Sequence, residues 1–127
     1  MKEIAACDID QTLILHDCDL VLAKNLECET VTVKSPYTNE EQTYVVNEKH
    51  VELVKNYQAR GFTVLLWSNN GESWARAVGL ALNLQDCMYM AKPIKMIDDQ
   101  QPEDFLPKPI YLNCKYQQFC LDNNMKQ

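Results

Sequence analysis

Two unbroken apolar runs, Ile4 to Ile9 (IAACDI) and Phe62 to Trp67 (FTVLLW), restrict the possible folds of this chain more than any other feature. A run with no polar alternation fits a strand covered on both faces, as in a parallel sheet. Asp8, near the end of the first run, is then a carboxylate that needs a reason. Before the second run, Asn47 is a good N-cap, Val46 and Val51 can form a hydrophobic staple, and Val51, Val54 and Tyr57 keep helical spacing up to Gly61. After it comes a second helix, with Trp74, Ala77, Val78, Ala81 and Leu82 on one face, Gly79 as a mild weakness and Asn83 as a stop. Cys87 to Ala91 and Ile94 to Ile97 read as further strands, separated by Lys92-Pro93 and ended by Asp98-Asp99. Strand and helix in alternation imply right-handed crossovers and a parallel sheet, and ligands of such sheets sit beyond the carboxyl ends of the strands.

The rest of the chain is less regular. TVTV (Thr30 to Val33) and TYVV (Thr43 to Val46) are β-rich and flank the turn-forming SPYTNEEQ, which predicts a hairpin arm inserted over residues 13–46. QPEDFLPKP reads as loop, Ile110 to Leu112 as an edge strand and Cys114 to Leu121 as a last helix. A length of 127 residues with 46% hydrophobic composition suits one domain, residues 1–127. The expected fold class is α/β, a Rossmann-like three-layer sandwich with a central, mostly parallel sheet, a small β-hairpin arm and no room for a large cap domain.

Lys and Arg total 12 against 18 Asp and Glu, and the net charge of -6 repels a phosphate backbone, which disfavours a nucleic-acid partner. The six cysteines, Cys7, Cys18, Cys28, Cys87, Cys114 and Cys120, form no CxxC pair and have no His at zinc-ligand spacing. With no signal-peptide core after Met1, they are expected to be reduced and mostly buried, in a cytoplasmic protein. No apolar stretch approaches the ~18 residues of a membrane span.

Four segments place polar residues at strand ends on one rim: Asp8 and Asp10, Ser68 and Asn69, Lys92, and Asp98 with Asp99. A phosphomonoester brings concentrated negative charge, so a site that cleaves it needs a divalent cation, donors for the phosphoryl oxygens and an in-line nucleophile. Clustered carboxylates make a hard oxygen site suited to Mg²⁺. DIDQTL, LLWSNN, the Lys of AKP and the IDD of MIDDQ resemble the four ordered motifs of haloacid dehalogenase-like phosphatases, over Ile4 to Asp99.

The resemblance implies a role for each matching residue. Asp8 would attack phosphorus and form an aspartyl-phosphate, and Asp10 would protonate the leaving group and later activate water. Thr12 would orient Asp10, Ser68 and the backbone N–H of Asn69 would bind a phosphoryl oxygen, and Lys92 would neutralise charge. Asp98 and Asp99 would complete a Mg²⁺ shell with Asp8 and the carbonyl of Asp10. Gln11 stands where the family often has Gly, and Lys92 precedes Asp98 by a short interval. The favoured substrate is a small phosphorylated metabolite or nucleotide. The alternatives are a non-catalytic phospho-ligand module and a nucleic-acid end-processing phosphatase. A receiver-like signalling module would need an apolar strand ending in Asp between Asp10 and Ser68 to accept the phosphoryl group, and this sequence has none there. Blander roles are also open: Ser68 and Asn69 as caps of the second helix, Cys7 as a core residue, and His16 and His50 as surface or helix residues without partners.

Overall fold

The computed structural model describes residues 3–107. Along the chain run β1 (Ile4–Asp8), β2 (Ile14–Leu15), α1 (Leu20–Asn25), β3 (Thr30–Lys34), β4 (Glu41–Val46), α2 (Glu48–Ala59), β5 (Thr63–Ser68), α3 (Glu72–Ala81), β6 (Met88–Ala91) and α4 (Pro102–Phe105). The architecture is mixed α/β, with a three-stranded sheet of order β1-β5-β6 and a second sheet of order β2-β4-β3. The first is parallel throughout: Ile4 lies opposite Thr63, Asp8 opposite Trp67, and Ser68 opposite Ala91. The second is antiparallel, with Ile14 opposite Val46 and Thr30 opposite Val45.

Local chemistry accounts for the helices. The Asn47 side chain accepts from the His50 N–H and starts α2, while Gly61, at φ 91°, reverses the chain after it. Asp19 accepts from the N–H groups of Val21 and Leu22, which starts α1 inside the segment expected to be only a hairpin. α3 packs over β5 and β6 on one side and meets β3 on the other, so it joins the two sheets. Gly79 lets it do so: a Cβ there would come within 2.8 Å of the Tyr89 ring and 2.9 Å of Leu66. The residue that weakens the helix by propensity is the one that admits the sheet.

Ile9, Leu13, Ile14, Val46, Val64, Leu66, Ala75 and Val78 form the centre of one buried cluster shared by both sheets. Truncating a fully buried member such as Leu66 to Ala costs about 2–5 kcal/mol. Leu15, Ala23 and Val45 make a smaller cluster under α1, with Cys18 and Cys28 packed against it.

Several expectations change. β1 is covered on one face only: Ile4 and Ala6 are exposed while Ala5 and Cys7 face the core, because the helices pack over β5 and leave the outer strand half open. Ile94 to Ile97 forms no strand, and Ile94 and Ile97 are fully solvated. Pro93 lacks an N–H to continue the β6 ladder, and β5 already has a neighbour on each side. The QPED stretch expected as loop carries the short α4, with Pro102 in its first turn. Cys7, Cys18, Cys28 and Cys87 are half-buried rather than buried. The edge strand and helix expected at 110–112 and 114–121 lie outside the described residues. Among those residues, no helix is long and apolar enough to cross a membrane.

Candidate active site

Because β1, β5 and β6 run parallel and in register, their carboxyl ends share a rim. Asp8 closes β1, Ser68 closes β5, and Lys92 follows β6 directly, its N–H donating to the Ser68 carbonyl at 3.0 Å. Beyond Asp8 the chain folds tightly on itself, with the Ile9 carbonyl accepting from Thr12 and Leu13 at 3.2 and 2.9 Å. Gln11 supplies the left-handed residue that this turn requires, at φ 63°. That is the position where the resembled family often has Gly, and here the Gln side chain adds a bond by accepting from the His16 N–H at 3.1 Å.

Two carboxylates dominate the rim. Asp8 takes the Lys92 ammonium on Oδ1 at 2.7 Å and the Thr12 hydroxyl on Oδ2 at 2.9 Å. The Lys92–Asp8 pair is about a third exposed on each side, so it fixes geometry and local charge more than stability, contributing ~1 kcal/mol or less. Asp10 is a hub for four donors. Its Oδ1 faces His16 Nε2 at 2.8 Å and accepts from Trp74 Nε1 at 3.0 Å, and its Oδ2 accepts from Ser68 Oγ at 2.9 Å and Asn70 Nδ2 at 3.2 Å. Tyr44 stands edge-on to both His16 and Trp74, with ring centroids 4.9 and 6.1 Å away, and closes an aromatic wall round the hub. Beneath the rim the Cys7 thiol is pushed up to about 12, first by burial and then by the Asp8 charge, so at neutral pH it is a packing group and not a nucleophile.

Asp8, Asp10, Thr12, Ser68 and Lys92 thus meet as the sequence predicts, with two roles altered. Thr12 bonds Asp8 and not Asp10, because the turn after β1 folds its hydroxyl back over the strand end. Ser68 spends its proton on Asp10 and accepts the Asn70 N–H at 3.0 Å. Neither Ser68 nor Asn69 caps α3, whose N-cap is Gly71 with no side-chain bond. The Asn70 side-chain amide reaches the Asp10 carboxylate, and Asn69 is an exposed turn residue.

Both histidines have partners. His16 binds Asp10, and His50, buried in α2, sets Nδ1 2.6 Å from the Thr12 carbonyl and so ties the turn after β1 to the helix. Trp74 looks like an ordinary core residue in the helical pattern. Its signal was chemical: a buried indole N–H seeks an acceptor, and the polar strand ends were the nearest source.

Asp98 and Asp99 do not join the rim. Both are exposed, and the Asp98 carboxylate accepts from the Gln100 N–H at 2.9 Å. Among the described residues, no three His, Cys, Asp or Glu side chains gather as a metal-holding group. Both oxygens of Asp8 and of Asp10 already face protein donors. As arranged, the predicted set of Asp8, Asp10, Asp98 and Asp99 does not fit a resident Mg²⁺. No family model matches the chain, and neither does any curated protein or solved structure.

Proposed function

We propose that the chain is a phosphomonoester hydrolase working through an aspartyl-phosphate on Asp8, with a small phosphorylated metabolite or nucleotide as substrate. The proposal includes the Rossmann-like three-layer fold of the haloacid dehalogenase-like phosphatases that its motifs resemble. One observation carries it: Asp8 ends a parallel strand with Lys92 at 2.7 Å and Thr12 at 2.9 Å, beside a second carboxylate bonded to Ser68 of the neighbouring strand end.

Lys92 offsets the repulsion between the Asp8 carboxylate and the incoming phosphoryl group. An Asp8 oxygen attacks phosphorus, the bond from phosphorus to the leaving oxygen breaks, and that oxygen takes a proton from the Asp10–His16 pair. Water then attacks the phosphorus of the aspartyl-phosphate, the Asp8–phosphorus bond breaks, and the proton from water returns to the pair. Thr12 keeps the Asp8 carboxylate from rotating during both displacements. No step is assigned to a metal.

Phosphate release from an aryl phosphate tests the reading, and Asp8→Asn should lower it about a thousandfold or more. Equal rates in the two proteins would discard it. A second reading, a non-catalytic phospho-ligand module, is favoured by the saturation of Asp10, whose oxygens face four protein donors. It predicts phosphate binding with no turnover across a broad panel of phosphoesters.

A further inference from the structure

The β3–β4 hairpin ends beside the loop that follows β5. At its tip the Tyr37 hydroxyl donates to the Asn70 carbonyl at 2.7 Å, a bond between residues 33 apart in sequence. Asn70 in turn donates its side-chain amide to Asp10 at 3.2 Å and, within its own loop, its backbone N–H to Ser68 Oγ at 3.0 Å. The next residue, Gly71, donates to the Ser68 carbonyl at 3.1 Å. A short chain of bonds therefore links the hairpin tip to the Asp10 hub through one residue.

Two features indicate that this contact is built in. Gly71 holds φ 102°, and a Cβ there would run into the Tyr37 hydroxyl, with Tyr37 Cζ next at 3.7 Å. The tip is also shaped before it arrives: Ser35 Oγ accepts from the N–H groups of Tyr37 and Thr38 at 3.2 and 3.4 Å, and Asn39 takes the left-handed conformation at φ 62°. Tyr37 is 62% exposed, so its hydroxyl, and not burial of its ring, makes the contact with Asn70.

We propose that Tyr37 is a positioning residue: its hydroxyl latches the hairpin to the Ser68–Gly71 loop and thereby holds the Asn70 amide on Asp10. This rests on the reading of Asp8 and Asp10 as a phosphoryl-transfer site. Tyr37 touches no reacting atom in this scheme. It sets the orientation of Asp10 through Asn70, whereas the Asp8 carboxylate, which would meet the substrate phosphate, bonds Lys92 and Thr12 and neither Tyr37 nor Asn70.

Tyr37→Phe keeps the ring and removes the latch. With a small aryl phosphate, kcat should fall about threefold to tenfold, the worth of one neutral hydrogen bond, while KM stays within about twofold. Gly71→Ala should lower kcat in the native background but by a smaller factor in the Tyr37→Phe background, where the hydroxyl it strikes is gone. Backbone strain at Gly71 is common to both backgrounds and cancels in the comparison. Amide hydrogen exchange at Asn70 and Gly71 gives a reading that needs no turnover, and Tyr37→Phe should accelerate it. Unchanged kcat in an active Tyr37→Phe protein, strictly additive losses, or unchanged exchange would each overturn the latch. If no phosphoester is hydrolysed but exchange accelerates in Tyr37→Phe, the latch stands and the hydrolase reading alone falls.

Discussion

Asp10→Asn isolates the hub with no change of size. The carboxylate offers two oxygens, and of the four groups facing them Trp74 Nε1, on Oδ1, is the one that can only donate. An Asn side chain has one oxygen and one NH₂, so with its oxygen kept on Trp74 its NH₂ meets Ser68 and Asn70. Both must then reorient to accept, the Ser68 hydroxyl by rotating and the Asn70 amide by turning over. Every bond of the hub also loses its charge assistance, and together these changes cost about 1.5–3 kcal/mol. Relief of repulsion from Asp8 works the other way but is small, because Lys92 already stands 2.7 Å from that carboxylate. At roughly 3–6 °C per kcal/mol for a domain of this size, Tm followed by circular dichroism should drop about 5–18 °C. The penalty should shrink in the Trp74→Phe background, where the amide can turn its NH₂ toward an accepting His16. A Tm that rises or stays level on Asp10→Asn would refute the hub, since a solvated carboxylate beside another gains stability on neutralisation.

Three further outcomes follow from particular contacts. Gly79→Ala, which helix propensity alone would make stabilising by ~1 kcal/mol, should destabilise by about 1–2 kcal/mol in urea titrations, because the new methyl presses on Leu66 and Tyr89. Burial first, then the Asp86 charge, raises the Cys87 thiol, against a lowering by the Gln58 side chain. The unfolded thiol ionises near the ordinary 9.0 while the folded one keeps its proton, so this contribution to stability is whole below pH 9 and is lost as pH rises past it. Native-state alkylation of Cys87 at pH 9 should accordingly be slower than in urea. Calorimetric titration of Mg²⁺ into the ligand-free chain should show no tight binding, because the Asp8 and Asp10 oxygens are engaged by protein donors; micromolar affinity lost in Asp98→Asn would mean that Asp98 reaches Asp8 after all.

The parallel strands and α2 were readable because an apolar run and a capped amphipathic helix are local signals, set by residues within a few positions of one another. The meeting of Asp8, Ser68 and Lys92 was readable for the same reason, since each sits at the end of such a run. What stayed hidden depends on contacts between distant segments. Nothing near His16 or Trp74 in the sequence names Asp10 as their partner, and Gly79 looks like a defect until the Leu66 and Tyr89 side chains are placed against it. Ile94 to Ile97 has the composition of a strand, but a strand also needs a free ladder, and composition does not report that. The same gap separates Asp98 from the rim: the IDD motif is in order along the chain, yet the segment that carries it pairs with no strand among the described residues.

The central claim is that the Asp8 carboxylate becomes covalently phosphorylated during turnover. Rapid acid quenching during hydrolysis of a fast aryl phosphate, followed by mass spectrometry of the peptide containing Asp8, should find one added phosphoryl group on that residue and none in Asp8→Asn. Phosphate released at full rate with that peptide unmodified at every quench time, and still released by Asp8→Asn, would contradict the account.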